Sequence, residues 1–600
     1  MVRRLLAHVS RSLKGILARL FGDLRTSERF LLLGIAVLHV VGIGWGLPAS
    51  DGWDVDGVAP RDFLPGIIKT FTPGDYFTYP PLHLLILTVL TLPVTAVALL
   101  RAPSLSQHDV IQTFLNVPVM TTFAYVARVV SLLMSLGIVL AMGRLASAIF
   151  GPRARPWAMA IAGVEVAGTY YAHTSNLDIP ALFWASYALL TLVEAVKADD
   201  PRKLRRASVL AACAIATKDQ AYAIFLLSLP CVLVAWAHHR RREGRLGPLL
   251  RETLWLAGIG VVLVLVLDAA VFNPTGFAAR VRFLTGPASQ DFAQYSRDWP
   301  GRLTALREAV TFLPNHYPVA LAPVFALGVV LALKRTSSGV DRARAGARDA
   351  PSRDRIAAMV PLLAIVSFTL AFNCVARRVE ERFMLPQMQL LAVYGGGAIS
   401  GLLELAERAK EKRVPTWMIR LGAVACILSG LRMSAAMIAT MLGDTRYDAE
   451  TFMREHVRPG EVIEIYGNNV YLPRFPPGAT VQRIDSRPTD NRNPMLGIVE
   501  KEDQFGNVSA RAPRWIVVSS GYFWRFLPRD PAATEGGHVL PESQRILLAD
   551  ADPTDHMRSL FAGTAGYKIA HVSHYPGHPL LPPRAIHASL ACDVWIFERR

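Results

Sequence analysis

Long apolar runs recur along this chain and constrain its fold more than any other feature of the sequence. Most of these runs are about 17–25 residues long, the length at which a helix crosses the hydrocarbon core of a bilayer. Of the 600 residues, 52% are hydrophobic and only 18% are charged, which is an apolar excess for a soluble globular protein. The sequence therefore predicts a polytopic α-helical membrane protein.

Eleven membrane spans are predicted, and they form a transmembrane domain at about residues 30–441. The spans lie at 30–48, 118–148, 157–172, 179–196, 207–218, 219–237, 253–272, 314–333, 356–374, 384–407 and 415–441. Residues 1–29 are basic and amphipathic, which predicts a helix on the cytoplasmic membrane surface. Residues 442–600 lack long apolar runs and predict a small α/β domain, with a helix at 445–456 and strands at 462–466, 515–519 and 594–598.

The positive charges indicate the topology. The net charge is +17, but Lys and Arg lie mainly in short loops between spans, which excludes nucleic-acid binding as their purpose. The positive-inside rule places these loops in the cytoplasm, so an even number of crossings must separate any two of them. Because a crossing at 82–100 would break this rule, we expect a re-entrant or interfacial hairpin there, inside an exoplasmic loop at 49–117. The N-terminus is then inside and residues 442–600 are outside.

The first outer loop concentrates carboxylates. Five aspartates follow the first span, namely Asp51, Asp54, Asp56, Asp62 and Asp75. Carboxylates at the mouth of a membrane segment are costly to place there and indicate a functional site. In an extended stretch Asp54 and Asp56 would point to the same side and face one pocket. The alternative is a solvated loop without a chemical role.

Three basic residues, Arg128, Lys218 and Arg382, stand at predicted outer ends of spans. Arg binds a phosphate through its planar fork and Lys binds it as a point charge, so the three residues are candidates for a phosphate site. The alternative is that each one extends its charge into the headgroup region without a ligand.

Four more candidates lie near the outer face, His83, His173, Asn176 and Asp178. The two histidines and Asp178 have ligand types that suit a divalent metal ion, although their spacing matches no defined metal motif. Hydrogen-bonded capping is the alternative, with Asp178 as the N-cap of a span. Tyr79 precedes two prolines and is expected in a rigid turn that lines a substrate pocket. The five cysteines indicate neither a disulfide framework nor a CxxC metal site.

A series of motifs over about residues 30–450 resembles, in its order, the GT-C membrane glycosyltransferases of family 39, the protein O-mannosyltransferase and aminoarabinose transferase type. The matching segments are Trp53-Asp54-Val55-Asp56, 74–82, 127–131, 149–151, 175–180, Ala216-Thr217-Lys218, Phe272-Asn273-Pro274, 381–386 and Asp444-Thr445-Arg446-Tyr447.

The resemblance implies an enzyme of the inner (plasma) membrane that takes a sugar from a polyprenyl-phosphate donor and attaches it to an exoplasmic acceptor, whether protein, lipid or glycan. Such enzymes usually carry Asp-Glu in the first exoplasmic loop, with the Asp as catalytic base. Asp56 falls at that position and Gly57 replaces the Glu, which leaves Asp54 as a rival base. The tail at 442–600 is expected to be structural or to shape the acceptor site. It contains no nucleotide-binding glycine loop and no nucleophile elbow.

The chemistry of such a reaction fits these residues. A polyprenyl phosphate is already a competent leaving group, so the enzyme needs a carboxylate to deprotonate the acceptor and cations to receive the phosphate. A transporter is a second hypothesis, but transporters usually contain internal repeats, and we find none here. A catalytically inactive homologue that serves as an assembly subunit is a third hypothesis, because Gly57 departs from the family pattern.

Overall fold

The computed structural model describes residues 22–49, 52–286, 293–334, 350–408, 415–486, 497–523, 526, 551–584, 586 and 589–600. Most of the predicted surface helix at 1–29, and also Asp51, lie outside these residues. The helices of the membrane domain are α1 (Thr26–Val40), α2 (Phe63–Phe71), α3 (Pro81–Arg101), α4 (Gln107–Leu115), α5 (Val117–Phe150), α6 (Arg155–Gly163), α7 (Val166–Ala172), α8 (Asp178–Ala198), α9 (Lys203–Ile215), α10 (Tyr222–Leu226), α11 (Ser228–Arg242), α12 (Leu246–Leu267), α13 (Pro274–Thr285), α14 (Trp299–Thr311), α15 (Leu313–His316), α16 (Ala322–Lys334), α17 (Ala350–Phe368), α18 (Cys374–Ala376), α19 (Glu381–Arg408) and α20 (Thr416–Leu442).

The structure confirms the polytopic helical architecture with a small C-terminal sheet domain. In the described residues, eight helices are long and apolar enough to cross a membrane, or nine if the pair Trp299–His316 and Val319–Lys334, bent by 114°, counts as one span. The predicted count of eleven is therefore not reached there. The helices found at 30–48 and 207–218 have only 15 and 13 residues.

The predicted span at 157–172 is broken into two short helices because a buried carboxylate interrupts it. Glu165 is the N-cap of α7, and its side chain accepts hydrogen bonds from the backbone amides of Ala167 and Gly168. A capping carboxylate satisfies amides that a continuing helix would bond internally, so one helix ends and another begins at this point.

The expected hairpin at 82–100 is wrong, because α3 is one continuous helix with Pro93 inside it. Its first turns pack against α5, where Leu84 and Leu87 join Met120 and Phe123 in one cluster. The other end of α3 lies beside the start of α5, since Arg101, Asn116 and Pro118 line one cavity. Both ends of α3 therefore lie near the first turns of α5. By length and composition α3 is also a candidate span, so its exclusion from the crossings stays a prediction.

Close helix packing in the bundle relies on small residues, as is usual in membranes. A Cβ atom at Gly396 of α19 would lie 2.7 Å from the Ala154 carbonyl oxygen and 2.8 Å from the Ala158 Cβ atom. Only glycine allows α19 to approach α6 so closely. These contacts belong to a single large core that runs through the bundle.

The C-terminal domain contains a six-stranded sheet with the order β3-β2-β1-β4-β6-β5. Its elements are α21 (Thr445–His456), β1 (Val462–Ile465), β2 (Thr480–Asp485), β3 (Ile498–Glu502), α22 (Val508–Arg511), β4 (Trp515–Ser519), α23 (Ser520–Phe523), α24 (Ala551–Phe561), β5 (Tyr567–Ser573) and β6 (Val594–Arg599). The first four strands in this order are parallel, and β6 is antiparallel to β4 and β5. Helix α21 and the strands β1, β4 and β6 confirm the sequence prediction, whereas β2, β3 and β5 were not predicted.

Helices cover both faces of this sheet. Met453 of α21 packs with Ile463 and Ile465 on one face, and Met557 of α24 packs with Ile516 on the other. The loop after β1 faces the membrane domain, because Arg474 donates to the Pro48 carbonyl oxygen at 3.4 Å. The sheet domain thus lies against the first outer loop.

Candidate functional site

Asp54 and Asp56 lie in a tight turn and not in the extended stretch that we expected. The turn is closed by the Gly57 amide, which donates to the Asp54 carbonyl oxygen at 3.3 Å. The Asp56 amide donates to Asp54 Oδ1 at 3.4 Å. The expected extended backbone is therefore wrong, and the rule that residues two apart point to the same side does not apply here, since it holds for strands.

The two carboxylates have different surroundings. Asp54 is buried, and its Oδ1 accepts a hydrogen bond from the Tyr170 hydroxyl at 3.2 Å. The Asp56 side chain is 25% exposed and forms an ion pair with Arg382. Asp56 is thus the more accessible of the two to a substrate, while Asp54 is packed into the protein.

A side chain at Gly57 would have tight contacts with its neighbours. A Cβ atom at Gly57 would lie 3.2 Å from both Asp54 Oδ2 and Ser175 Oγ. Ser175 also donates to the Val58 carbonyl oxygen at 2.8 Å and joins this loop to the segment before α8. A side chain at position 57 would therefore require Asp54 or Ser175 to shift by a few tenths of an ångström.

A chain of alternating charges leads away from Asp56. Arg382 pairs with Asp56 and also with Glu380, to which its Nε atom donates at 3.2 Å. Glu380 in turn accepts from Arg378 at 2.8 Å. Burial alone would raise the pKa of Glu380, but the two arginines outweigh it and lower the pKa. Glu380 therefore stays ionised between two cations.

Tyr79 lies close to this chain. It is half-buried, and burial together with the nearby Asp56 carboxylate raises its pKa to about 12, against the opposing effect of Arg382. The phenol therefore keeps its proton and can donate a hydrogen bond. The role of Tyr79 in a substrate pocket stays a prediction.

Lys218 and Asp178 form a second ion pair at 2.5 Å. The expectation that Asp178 caps α8 is wrong, because the Asn176 Oδ1 atom accepts from the Asp178 amide at 2.8 Å instead. The neighbour of Lys218, Asp219, pairs with Arg280. Two opposite ion pairs therefore occupy the break between α9 and α10.

Arg128 is buried and donates to the Ile43 and Trp45 carbonyl oxygens at 2.6 and 2.7 Å. These contacts hold the end of the first span in place. His173 bonds in a similar way, to the Thr169 and Val41 carbonyl oxygens, both at 2.6 Å. Both side chains are engaged by the backbone, which is a structural role.

The residues suggested for a metal do not come together. His83 is fully buried, and neither ring nitrogen has a hydrogen-bond partner among the described residues. No group of three or more His, Cys, Asp or Glu side chains that could hold a metal ion exists in the described part of the chain. The residues present therefore do not fit a divalent metal at His83, His173 and Asp178.

Several sequence motifs that are far apart in the chain meet at this face. Asn273 is the N-cap of α13, and its Oδ1 atom accepts from the Gly74 amide at 2.9 Å. Its Nδ2 atom donates to the Asp75 carbonyl oxygen at 2.9 Å. The Leu82 amide donates to the Ala216 carbonyl oxygen at 3.0 Å. Hydrogen bonds of this kind tie the first outer loop to the later helix ends.

Sequence reasoning missed a group of arginines beside this face. A cavity of about 550 Å³ is lined by polar and apolar side chains, including Arg297, Arg302, Arg377 and Arg378. Burial lowers the pKa of Arg377, and the charges of Arg297 and Arg302 lower it further. In the described part of the chain no carboxylate pairs with Arg302 or Arg377. A positive cavity of this kind favours an anion.

The backbone around Arg377 is irregular. A π-helical turn at Thr369–Asn373 ends the span that leads to it, and Arg377 itself has a φ of 54° in the left-handed region. Both features are uncommon and cluster at functional sites. The dibasic Arg377-Arg378 pair stands at a predicted outer span end, which departs from the positive-inside rule. This departure was the sequence signal that could have found it.

The arginine cavity shares one lining residue with an apolar cavity. Ile215 lines the arginine cavity and also lines a second cavity of about 350 Å³, whose other walls are almost entirely apolar. The apolar walls come from α8, α9, α11 and α12, with Leu192, Leu229 and Leu256 among them. The arginine cavity and an apolar cavity are thus neighbours at Ile215.

No family model and no curated protein sequence matches this chain. Among solved structures it is similar to ArnT from Cupriavidus metallidurans in the apo state, at 16% identity, with 83% of this chain and 94% of that chain covered and a TM-score of 0.46. The same protein bound to undecaprenyl phosphate gives 15% identity, 84% and 94% coverage and a TM-score of 0.44. The archaeal oligosaccharyltransferase AglB from Archaeoglobus fulgidus, in complex with an inhibitory peptide and a dolichol-phosphate, gives 12% identity, 96% and 88% coverage and a TM-score of 0.42.

All these identities lie below 25% and all these TM-scores lie below 0.5, so the similarities carry no argument about function.

Proposed function

We propose that this protein is an integral-membrane glycosyltransferase that moves a sugar from a polyprenyl-phosphate donor to an acceptor hydroxyl on the exoplasmic face. Asp56 is the general base in this reaction. The acceptor is a protein, a lipid or a glycan. The protein lies in the inner (plasma) membrane with its N-terminus in the cytoplasm.

The observation that carries the proposal is the arginine cavity with an apolar cavity next to it. A polyprenyl phosphate has one anionic group at the end of a long hydrocarbon chain, and it needs both environments in this order. The guanidinium groups of Arg302 and Arg377 match the phosphate oxygens in geometry and charge. The apolar cavity at Ile215 offers the apolar surface that the hydrocarbon chain requires.

The position of Asp56 supports the assignment of the base. The ion-pair chain Arg378–Glu380–Arg382–Asp56 connects one wall of the cavity to the accessible carboxylate. In this proposal, a phosphate in the cavity presents its sugar to the turn that carries Asp56. Arg382 stands between Arg378 and Asp56 in this chain of ion pairs. It is available to the departing phosphate once Arg382 gives up its ion pair with Asp56.

The reaction balances with these groups alone. Asp56 takes the proton from the acceptor hydroxyl as its oxygen attacks the anomeric carbon of the sugar. The bond between that carbon and the phosphate oxygen breaks, and the electron pair leaves with the polyprenyl phosphate. The arginines stabilise the negative charge that develops on the phosphate. Tyr79 is placed to donate a hydrogen bond to the sugar, and Lys218 with Asp178 borders the pocket.

Labelled donor provides the direct test. The full-length protein in lipid nanodiscs is supplied with a radiolabelled polyprenyl-phosphate sugar and with cell-envelope acceptors. We expect the label to move to an acceptor fraction with stoichiometric release of polyprenyl phosphate. A transporter would instead move the intact donor across a vesicle membrane, and an inactive homologue would bind the donor without turnover.

A further inference from the structure

The segment Asp444-Thr445-Arg446-Tyr447 joins the last membrane helix to the C-terminal domain, and its side chains turn back toward the first outer loop. Asp444 caps α21 by accepting from the Arg446 amide at 3.1 Å. Its carboxylate also accepts from the Arg446 side chain at 2.6 and 2.8 Å and from Trp45 Nε1 at 3.0 Å. All three side chains are buried. Asp444 therefore links the end of the first span to Arg446.

Arg446 makes contacts in two domains at once. Within the C-terminal domain it donates to the Ser589 carbonyl oxygen at 2.8 Å and to that of Val470. Its guanidinium carbon lies 4.1 Å from the ring centre of Trp53, which belongs to the first outer loop. A desolvated cation over an indole face is a favourable contact and fixes the ring in place.

Tyr447 holds the same tryptophan from another side. Its ring centre lies 5.0 Å from that of Trp53, and its hydroxyl accepts from the Gly46 amide at 2.9 Å. Gly46 has a φ of 71°, and a Cβ atom there would lie 2.9 Å from the Trp53 ring. Trp53 is therefore enclosed between the end of the first span and α21.

Trp53 directly precedes the turn that carries the carboxylates. Asp54 follows it and is fixed by Tyr170, and Asp56 lies two residues further on against Arg382. A shift of the tryptophan would displace this short turn, because few backbone torsions separate the ring from Asp56. The C-terminal domain is therefore coupled mechanically to the proposed base.

We propose that Arg446 is a positioning residue through which the C-terminal domain holds Trp53 and so sets the place of Asp56 for sugar transfer. This inference rests on the proposed function and deepens it. It gives the C-terminal domain a part in the reaction, beyond its structural role. Arg446 does not touch substrate and acts through Trp53.

Arg446→Lys tests this role because it keeps the charge and loses the planar fork. We expect kcat to fall about 10- to 100-fold, the effect of a small misplacement of a catalytic group. The donor KM is expected to stay within about twofold, because the arginine cavity does not include Arg446. Backbone hydrogen exchange over residues 52–58 is expected to speed up.

Arg483→Lys is the matched control. Arg483 is equally buried in the same domain and pairs with Glu500 and Asn469 of that domain. It should lower thermal stability in a similar way while kcat and the exchange of residues 52–58 stay unchanged. Tyr447→Phe, which removes only the hydroxyl at Gly46, should give an intermediate loss of kcat and serves if Arg446→Lys does not fold.

The outcomes separate the two levels of the assignment. A wild-type protein that transfers no sugar would overturn the proposed function and this role with it. An active wild-type protein whose Arg446→Lys and Tyr447→Phe variants keep kcat, or lose it no more than Arg483→Lys, would overturn the positioning role alone. Unchanged exchange over residues 52–58 in Arg446→Lys would also overturn it.

Discussion

At the scale of single residues, the ion pair of Asp56 with Arg382 decides how the site works. A carboxylate in contact with a guanidinium is held in place but is a weaker base, because its charge is partly neutralised. A donor phosphate brings negative charge that competes for the same arginine. Donor binding would then release Asp56 toward the acceptor, which orders the two steps.

Removing a cavity arginine should weaken donor binding. Arg377→Gln keeps the length and polarity of the side chain but loses the positive charge that faces the cavity. We expect the dissociation constant for polyprenyl phosphate to rise about tenfold, as for the loss of one charge-assisted hydrogen bond. Arg153→Gln is the control, since Arg153 pairs with Glu407 and is exposed elsewhere. Equal affinities of both variants would exclude the cavity as the phosphate site.

Adding one methyl group to the turn should disturb the carboxylates. Gly57→Ala places a Cβ atom 3.2 Å from Asp54 Oδ2, so that side chain must move by a few tenths of an ångström. We expect a several-fold loss of transfer rate with little change in thermal stability. Gly34→Ala is a control, because a Cβ atom there meets nothing within 4 Å. Wild-type rates in Gly57→Ala would mean that the turn tolerates displacement.

The sequence indicated part of this site, and physical reasons explain the rest. Arg382 was found because it stands at a predicted outer span end, and Asp56 because it lies in the acid-rich loop at the position that the family resemblance marks. Tyr79 was found because it precedes two prolines. Their pairing could not be predicted, since it depends on the distance between loops that are far apart in sequence. The extended backbone predicted for Asp54 to Asp56 was wrong, because the Gly57 amide donates to the Asp54 carbonyl oxygen and closes a turn there.

At the scale of structural elements, the connection between α18 and α19 carries the charges that join the cavity to the base. It begins with the left-handed Arg377 and ends at Arg382, the second residue of α19. Gln294 braces it, with its side-chain oxygen accepting from the Val379 amide at 3.0 Å. A short, braced connection keeps the arginines in register with the carboxylates.

Glu380 should contribute stability that disappears in acid. Its pKa is lowered in the folded protein, so its ion pairs are complete above the ordinary value of 4.5 and are lost as the pH falls through the folded value. We expect Glu380→Gln to destabilise the protein at pH 7 by about 1.5–3 kcal/mol and to flatten the acid dependence of its melting temperature. Glu407→Gln is an exposed control. An unchanged acid dependence would contradict the buried ion-pair network.

The elements themselves were predictable where hydrophobic patterning was strong. Helix α21 was predicted with its observed bounds, and β4 is buried along its whole length. Strand β3 was missed because it reads Ile-Val-Glu-Lys-Glu and is mostly exposed, so no buried face marks it. The break at Glu165 was missed because the carboxylate is satisfied by His316 and Gln389, which are distant in sequence.

At the scale of the whole molecule, contacts of Trp53 join the first outer loop to the C-terminal domain. Trp53 touches Arg446 and Tyr447, so the first outer loop and the C-terminal domain lie on one side. Gly151 follows the last residue of the 34-residue helix α5. At 1.5 Å per residue, the two ends of this helix are about 50 Å apart.

Reporter fusions should reproduce this arrangement. We expect fusions after Arg101 and after Tyr447 to lie outside and a fusion after Gly151 to lie inside. The first expectation follows because Arg101 lines one cavity with Asn116, at the start of α5. A cytoplasmic signal from the Arg101 fusion would mean that α3 crosses the membrane and that the positive-inside reasoning fails.

The most direct test of the central claim is single-turnover transfer by Asp56→Asn, with donor binding measured on the same preparation. Asparagine keeps the size and hydrogen bonding of the side chain but cannot accept the proton. We expect the rate to fall at least about 10²-fold while donor affinity is retained, and we expect Asp54→Asn to leave measurable transfer. Normal transfer by Asp56→Asn, or loss confined to Asp54→Asn, would contradict the assignment of Asp56 as the base.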